Sequence, residues 1–185
     1  MFASTMMELQ KELLALRIAD WYDKVISFQW FFLVVLLILP WFLWWRVVDR
    51  KQIAEIFSYG LLISLISSLF NGNGLNLILY SYPYKLLPFS PRAYSFSLTV
   101  LPVAYMLLYQ YFTTRRSFAI ACVVFSAVTA FVIQPILAWM DIYKLIKWNY
   151  FYSFLVLLFI GLMARLIHNY VINKSFIAGK NINDV

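Results

Sequence analysis

The chain has 185 residues, 64% of them hydrophobic and only 12% charged, with a formal net charge of +7 and a mean hydropathy of +0.79. Globular domains run at roughly 45–50% apolar and about 25% charged residues, and a soluble chain of this length has too much surface to hide so much Leu, Ile, Val and Phe. That balance excludes a soluble enzyme, a disordered protein and a nucleic-acid-binding domain, and it predicts an all-α, polytopic membrane bundle.

The single cysteine, Cys122, permits no internal disulfide, and the single histidine, His168, cannot build a His-based cluster. No metal site and no other cofactor is expected on these residues. The basic excess reads as loop charge facing an anionic leaflet, not as a polyanion-binding surface.

Residues 1–26 mix Glu8, Lys11, Glu12, Arg17, Asp20, Asp23 and Lys24 with apolar positions. Leu14, Ile18, Trp21 and Val25 recur at helical spacing. The acidic residues and the lack of a continuous apolar core argue against a signal peptide. The segment predicts an amphipathic helix on the membrane or against partner loops, with Leu9, Leu13 and Leu16 blurring its polar face.

A span needs about 20 mostly apolar residues. Five segments of residues 27–168 meet that ruler, about 27–45, 53–70, 94–112, 117–139 and 149–168. They are bounded by Arg, Lys, Trp or Tyr, as interfacial anchors should be. Residues 169–185 form a polar tail.

Between the second and third spans, Asn71-Gly72-Asn73-Gly74 reads as a helix terminator, because Asn and Gly accept left-handed backbone. Pro83, Pro88 and Pro91 follow, interleaved with Tyr82, Tyr84 and Phe89. This predicts an aromatic interfacial loop; a re-entrant loop is the alternative and needs protein cover for its backbone.

Five spans put the termini on opposite sides. Seven basic residues fall on the side of the N-terminus and eight on the other. The two shortest connections, with Arg46, Arg50, Lys51 and with Arg115, Arg116, share a side. The positive-inside rule places that side in the cytoplasm, with the N-terminus outside.

Four groups of residues are candidates for function. Arg46, Asp49, Arg50 and Glu55 form the densest charge cluster, at headgroup depth. Arg46 with Asp49 and Lys51 with Glu55 stand at pairing distance on a helix, so a proton or cation site competes with a self-neutralised turn. Gly60, Ser64, Ser68 and Asn71 make a small-residue stripe suited to helix packing, or to one polar wall of a path. Pro102 and Pro135 kink the third and fourth spans, with Gln110 and Gln134 near them, an arrangement that packs helices or lines a cavity. Arg165 and His168 end the fifth span, placed to snorkel or to bind lipid phosphate.

From Trp45-Arg46-Val47-Val48-Asp49-Arg50, Glu55 and Gly60 onward, the chain resembles an uncharacterised family of small multispanning membrane proteins of spore-forming Gram-positive bacteria. The likeness continues through Tyr82-Pro83, Pro88, Pro102-Val103, Tyr109-Gln110-Tyr111-Phe112, Pro135, Trp139, Tyr143, Trp148 and Tyr152-Ser153-Phe154, covering about residues 41–168. Asn71 and Asn73 stand where that family would carry an aspartate, so no acidic site is carried over. The resemblance implies a membrane fold in the bacterial cytoplasmic membrane and supplies no reaction.

The leading expectation is a non-enzymatic structural or partner-binding component of the envelope. Its partners are membrane lipids and either another membrane protein or further copies of itself, with no nucleic acid. A small transporter or channel subunit is the alternative, with its path between the kinked spans and the Gly60–Asn71 stripe. A membrane enzyme acting on lipid headgroups through Asp49, Arg50 and Glu55 is the third. A polar cavity enclosed by the spans at mid-membrane, as against a dry, aromatic-filled centre, separates the first two readings, and convergence of those three charges on an open cleft tests the last.

Overall fold

The computed structural model describes residues 2–90 and 94–183, with side chains described for all of these except Ala3 and 173–183. Pro91, Arg92 and the side chains of Lys174 and Lys180, counted in the loop and charge arguments above, lie outside the described residues.

Among the described residues six helices follow one another: α1 (Phe2–Lys24), α2 (Phe28–Val47), α3 (Ile53–Asn76), α4 (Phe96–Tyr111), α5 (Arg115–Trp139) and α6 (Tyr150–Asn183). Four of these contain a stretch long and apolar enough to cross a membrane: α2, α3, α5 and the Tyr150–Ile172 part of α6. The expected third span is the exception. Tyr94 and Ser95 are helical and lead into a 5-residue π-helical turn followed by 11 residues of α-helix, and the Phe96–Tyr111 stretch is shorter than the other four.

Local chemistry sets several boundaries. Ser27 caps α2, its hydroxyl accepting from the Trp30 N–H at 3.2 Å, and Thr114 caps α5 by accepting from the Ser117 N–H. The Asn71–Gly74 run, expected to end the second span, instead continues α3 to Asn76. No described glycine has positive φ. Gly74 serves close approach instead, lying where a Cβ would collide with the Tyr80 hydroxyl.

Helix α3 ends at Ile78 (φ 54°), with the Leu79 N–H returning to the Gly74 carbonyl at 3.0 Å and the Ile78 N–H to that of Leu75 at 3.1 Å. Helix α5 ends the same way at Asp141 (φ 57°), with Ile142 N–H bonded to the Leu137 carbonyl and Asp141 N–H to that of Ala138. Both are Schellman stops built on residues other than glycine. The chains leaving them pair as a two-stranded antiparallel ladder, β1 (Tyr80–Ser81) with β2 (Lys144–Leu145). The Leu79 carbonyl also accepts from the Ile146 and Lys147 N–H groups.

The bundle therefore has two distinct ends. The loop end holds 77–90 and 140–149; the turn end holds 48–52 and 112–114, where Gln110 bridges Val47 and Asp49 and Arg165 reaches Phe112 and Thr113. Helix α3 packs on α4 and α6, and α5 on α6. Helix α2 is peripheral, 11% buried against 28% for each of the other three spans. The core of the turn half is Tyr59, Ile63, Tyr105, Phe118, Cys122, Ile160 and Ala164.

Helix α1 meets the loop end through its last turns. The Trp21 indole donates to the Leu86 carbonyl at 3.1 Å, and Asp20 pairs with Lys24 and with Lys85. Further toward the N-terminus Leu9, Leu13, Leu14 and Leu16 are all exposed. The helix expected in the first 26 residues is present, but its apolar side chains do not gather on one buried face. The polar tail expected from 169 continues α6 as helix to Asn183.

Candidate functional site: a largely apolar cavity framed by two π turns

Two prolines create the site. Pro102 has no N–H to give to the carbonyl four residues back, and Pro135 likewise; each ring crowds that carbonyl. In both helices the preceding turn widens. The Leu101 N–H bonds to the Phe96 carbonyl and the Gln134 N–H to that of Thr129, each five residues back. Widened turns of this kind carry one extra residue and often mark functional positions.

The π turns of α4 (Phe96–Val100) and α5 (Thr129–Ile133) face a common cavity of about 140 Å³ in the loop half of the bundle. Helix α3 contributes Ser67, Phe70 and Asn71, and α6 contributes Ser153, Val156 and Leu157. Tyr80, Tyr82, Tyr143 and Trp148 close it at the loop end. Those rings pack edge-on or tilted, with Tyr80 5.6 Å from Tyr143 and 6.0 Å from Trp148 between centroids.

The wall is apolar with a few polar groups. Ser67 Oγ donates to the Ser97 carbonyl at 3.1 Å, Asn71 Nδ2 to the Tyr82 hydroxyl at 3.1 Å, and the Trp148 indole to Ser153 Oγ at 3.0 Å. Three buried polar atoms of wall residues have no hydrogen-bond partner: Asn71 Oδ1, Thr129 Oγ1 and Gln134 Oε1. An orphaned buried polar atom costs about 1–3 kcal/mol. Among the described residues no Asp, Glu, Lys, Arg or His lines the cavity. Burial pushes the Tyr80 hydroxyl up to about 12 and raises those of Tyr82 and Tyr143 as well, so all three stay neutral near pH 7. The arrangement can hold a small molecule by apolar contact and hydrogen bonds. It offers no nucleophile activated by a base, and no cluster of metal-ligating side chains occurs among the described residues.

The residues singled out from sequence divide between the two ends. Asn71, Gln134 and Pro135 belong to the cavity or flank it, and Pro102 follows its α4 turn. Ser64 instead donates to the Gly60 carbonyl of its own helix at 3.0 Å, and Ser68 is half-buried beside Ser67. Gly60 receives the Met106 side chain. Gln110 lies at the turn end, its amide donating to the Val47 carbonyl and accepting from the Asp49 N–H, each at 3.0 Å.

The charge cluster does not converge. Arg46 sits over the Phe42 ring and Arg50 over that of Trp45. Asp49 accepts from the Lys51 N–H at 2.9 Å, and Glu55 accepts from the Tyr109 hydroxyl. Neither Arg46 with Asp49 nor Lys51 with Glu55 forms an ion pair; among the described residues the ion pairs are those of Asp20. His168 is buried, its Nε2 2.8 Å from Ser58 Oγ and its ring edge-on to Tyr59 and Tyr109. Arg165 lies over Phe118 at 4.0 Å and donates to the Phe112 and Thr113 carbonyls that end α4.

Thr129, Ser97, Ser153 and the four rings Tyr80, Tyr82, Tyr143 and Trp148 line the cavity but were not among the candidate residues, although Tyr82, Tyr143, Trp148 and Ser153 stand in the loop or resemblance patterns. A signal for part of it existed: Ser126, Thr129 and Gln134 are the polar positions of an otherwise apolar stretch. The chain matches no known protein family, no curated protein and no solved structure.

Proposed function

We propose that the protein is a five-span component of the bacterial cytoplasmic membrane that works by binding. In this reading α4 is the short fifth span, α1 lies along the interface, and the N-terminus and loop end face outward. The cavity between the π turns takes a small uncharged amphiphile, its apolar part against Phe70, Val156 and Leu157 and its polar part toward Asn71, Thr129 and Gln134. The observation that carries the reading is the coincidence of three orphaned polar atoms with a largely apolar cavity. A concave apolar site with a few convergent polar groups is the usual form of a ligand site, and orphaned buried groups call for a partner.

A path through the bundle is the second reading, favoured by the cavity itself. Against it, the other half is filled by Tyr59, Tyr105 and Phe118, each essentially inaccessible. That plug supports a closed-ended site.

The test is photolabelling of the purified protein with a diazirine-bearing octanol, followed by peptide mapping. Labels on residues 67–71, 129–134 and 143–153 that disappear in Ser97→Phe support the reading. Labels confined to lipid-facing positions such as Leu61 and Leu65 overturn it.

A further inference from the structure

A second pocket, of about 320 Å³, opens between α1 and the chain that follows α3. Arg17 of α1 and Lys85 of the loop line it together, with Ser81 and Tyr82 between them and Ile78 and Ile146 at the side. Tyr80 and Tyr82 also wall the central cavity, yet the two spaces differ in chemistry: this one is cationic and that one uncharged.

Charge counting makes the pocket unusual. Three cations meet here, Arg17, Lys24 and Lys85, and the carboxylate among them is Asp20. Asp20 is already engaged by Lys24 and stands 3.7 Å from Lys85. Lys24 is further held by the Pro83 carbonyl at 3.3 Å and lies over the Tyr84 ring. Arg17 and Lys85 thus line one concave space together, and among the described residues the acid paired with Lys85 is Asp20, which Lys24 already engages. Burial, and repulsion from Lys24 and Arg17, lower the Lys85 pKa against the opposing pull of Asp20. An anion in the pocket relieves that repulsion.

Depth selects the anion. Leu75 and Asn76, in the last turn of membrane-spanning α3, form part of the wall. Ile78 is 61% exposed and Ile146 48% exposed, so the apolar flank continues toward the acyl region. The pocket therefore sits where a helix leaves the hydrocarbon, in the layer that holds lipid phosphates. Arginine's planar fork matches phosphate oxygens bidentately, and a lysine adds a point charge beside it.

We propose that the Arg17–Lys85 pocket binds a phosphate group, presented by a lipid headgroup or free in solution, and that this is a site separate from the central cavity. It does not rest on the cavity reading, since neither cation touches that cavity.

The experiment has two arms, run on the full chain in detergent. In the first, native mass spectrometry follows retention of phosphatidylglycerol added at known concentration; in the second, inorganic phosphate is tested for a rise in melting temperature against chloride at equal ionic strength. The variants are Arg17→Gln, Lys85→Gln and the pair, with Arg115→Gln/Arg116→Gln at the turn end matching the lost charge. Losing one charge-assisted contact should weaken binding about tenfold, and the turn-end pair should leave it unchanged. Lipid retention that falls in Arg17→Gln identifies a headgroup site, whereas a phosphate-specific shift that falls in Arg17→Gln identifies a soluble ligand. Arg17→Gln leaves the ion pairs of Asp20 in place, so it stays informative if Lys85→Gln unseats α1. Equal binding by wild type and Arg17→Gln in both arms, or equal loss in the turn-end pair, overturns the proposal.

Discussion

Gly161 of α6 lies directly against the ring of Tyr105 of α4. A Cβ at Gly161 would overlap the ring and come within 3.2 Å of Cys122 Sγ. The ring has no room to retreat, because Tyr105 is fully buried and its hydroxyl donates to the Leu157 carbonyl at 2.6 Å. Gly60 makes the equivalent approach to Met106, a flexible side chain that adapts. Small residues at such crossings let helices close up. Gly161→Ala should therefore cost about 1–3 kcal/mol through overpacking. Gly60→Ala should stay within about 1 kcal/mol of wild type, because Met106 shifts and alanine is the better helix former. Thermal unfolding in one detergent ranks the two; an equal loss, or the reverse order, contradicts the argument.

The buried histidine gives a second prediction. His168 Nε2 meets Ser58 Oγ, while Nδ1 has no partner. Ser58→Ala takes the hydroxyl partner from the buried Nε2, at a cost of about 1–3 kcal/mol. In the His168→Phe background the same serine change should cost far less, since the group it served is gone. A double-mutant cycle on unfolding free energies checks this; additive losses would show that the pair contributes nothing.

Ile78 predicts a gain. A β-branched residue at φ 54° is strained, since left-handed backbone costs an L-residue roughly 1–2 kcal/mol. Ile78 is mostly exposed, so little packing is lost on truncation. Ile78→Gly should raise stability by a few tenths to about 1 kcal/mol, once glycine's extra unfolded-state freedom is subtracted. An unchanged or lowered melting temperature would mean that the Ile78 side chain contributes packing that its exposure does not reveal.

Docking of α1 should depend on pH. The hydrogen bond from Lys24, aided by the charges of Lys24 and Lys85, holds the Asp20 carboxyl below its ordinary value despite some desolvation. A carboxyl lowered in the folded state contributes stability that is full above the unfolded value, near about 4, and is lost as pH falls through the lowered one. Protection factors for hydrogen exchange over residues 17–25 and 83–86, taken against the intrinsic rate at each pH, should therefore fall on acidification below about pH 4, and Asp20→Asn should show the lower protection already at pH 7. The side chain is 41% exposed, so the effect is local and leaves the bundle's own melting unchanged.

What the sequence made legible follows from what each signal measures. Hydropathy depends on composition alone, so α2, α3, α5 and α6 were readable with their anchors. Pro102 and Pro135 were readable as kinks, but the π turns were not: a missing N–H says that a turn must adjust, not which way. The Asn71–Gly74 run misled because a glycine signals either left-handed backbone or close approach, and only the return of Tyr80 decides between them. The same holds for the sites. Arg165 and His168 near a helix end look like headgroup ligands until α3 and α4 supply Ser58 and two free carbonyls. Arg17 and Lys85, 68 positions apart, share no pattern in one dimension.

The β1–β2 ladder turns orientation into a sharp test. Because Ser81 pairs with Lys144, the 77–90 and 140–149 segments occupy one end of the bundle, and Asp141 lies at the opposite end of α5 from Ser117, which caps the start of α5 with Thr114. The five-span reading puts the two on opposite sides of the membrane. Cys122 is fully buried, so single cysteines can be introduced without a labelling background. With the arginine-bearing turns in the cytoplasm, Asp141→Cys should react with a membrane-impermeant maleimide on intact cells, and Ser117→Cys should react only after the membrane is opened. The opposite pattern would invert the topology while keeping the bundle and would place the Arg17–Lys85 pocket at the inner leaflet. Labelling of both positions from one side would instead separate 113–116 from the end assigned to it here, and would remove α5 from the list of spans.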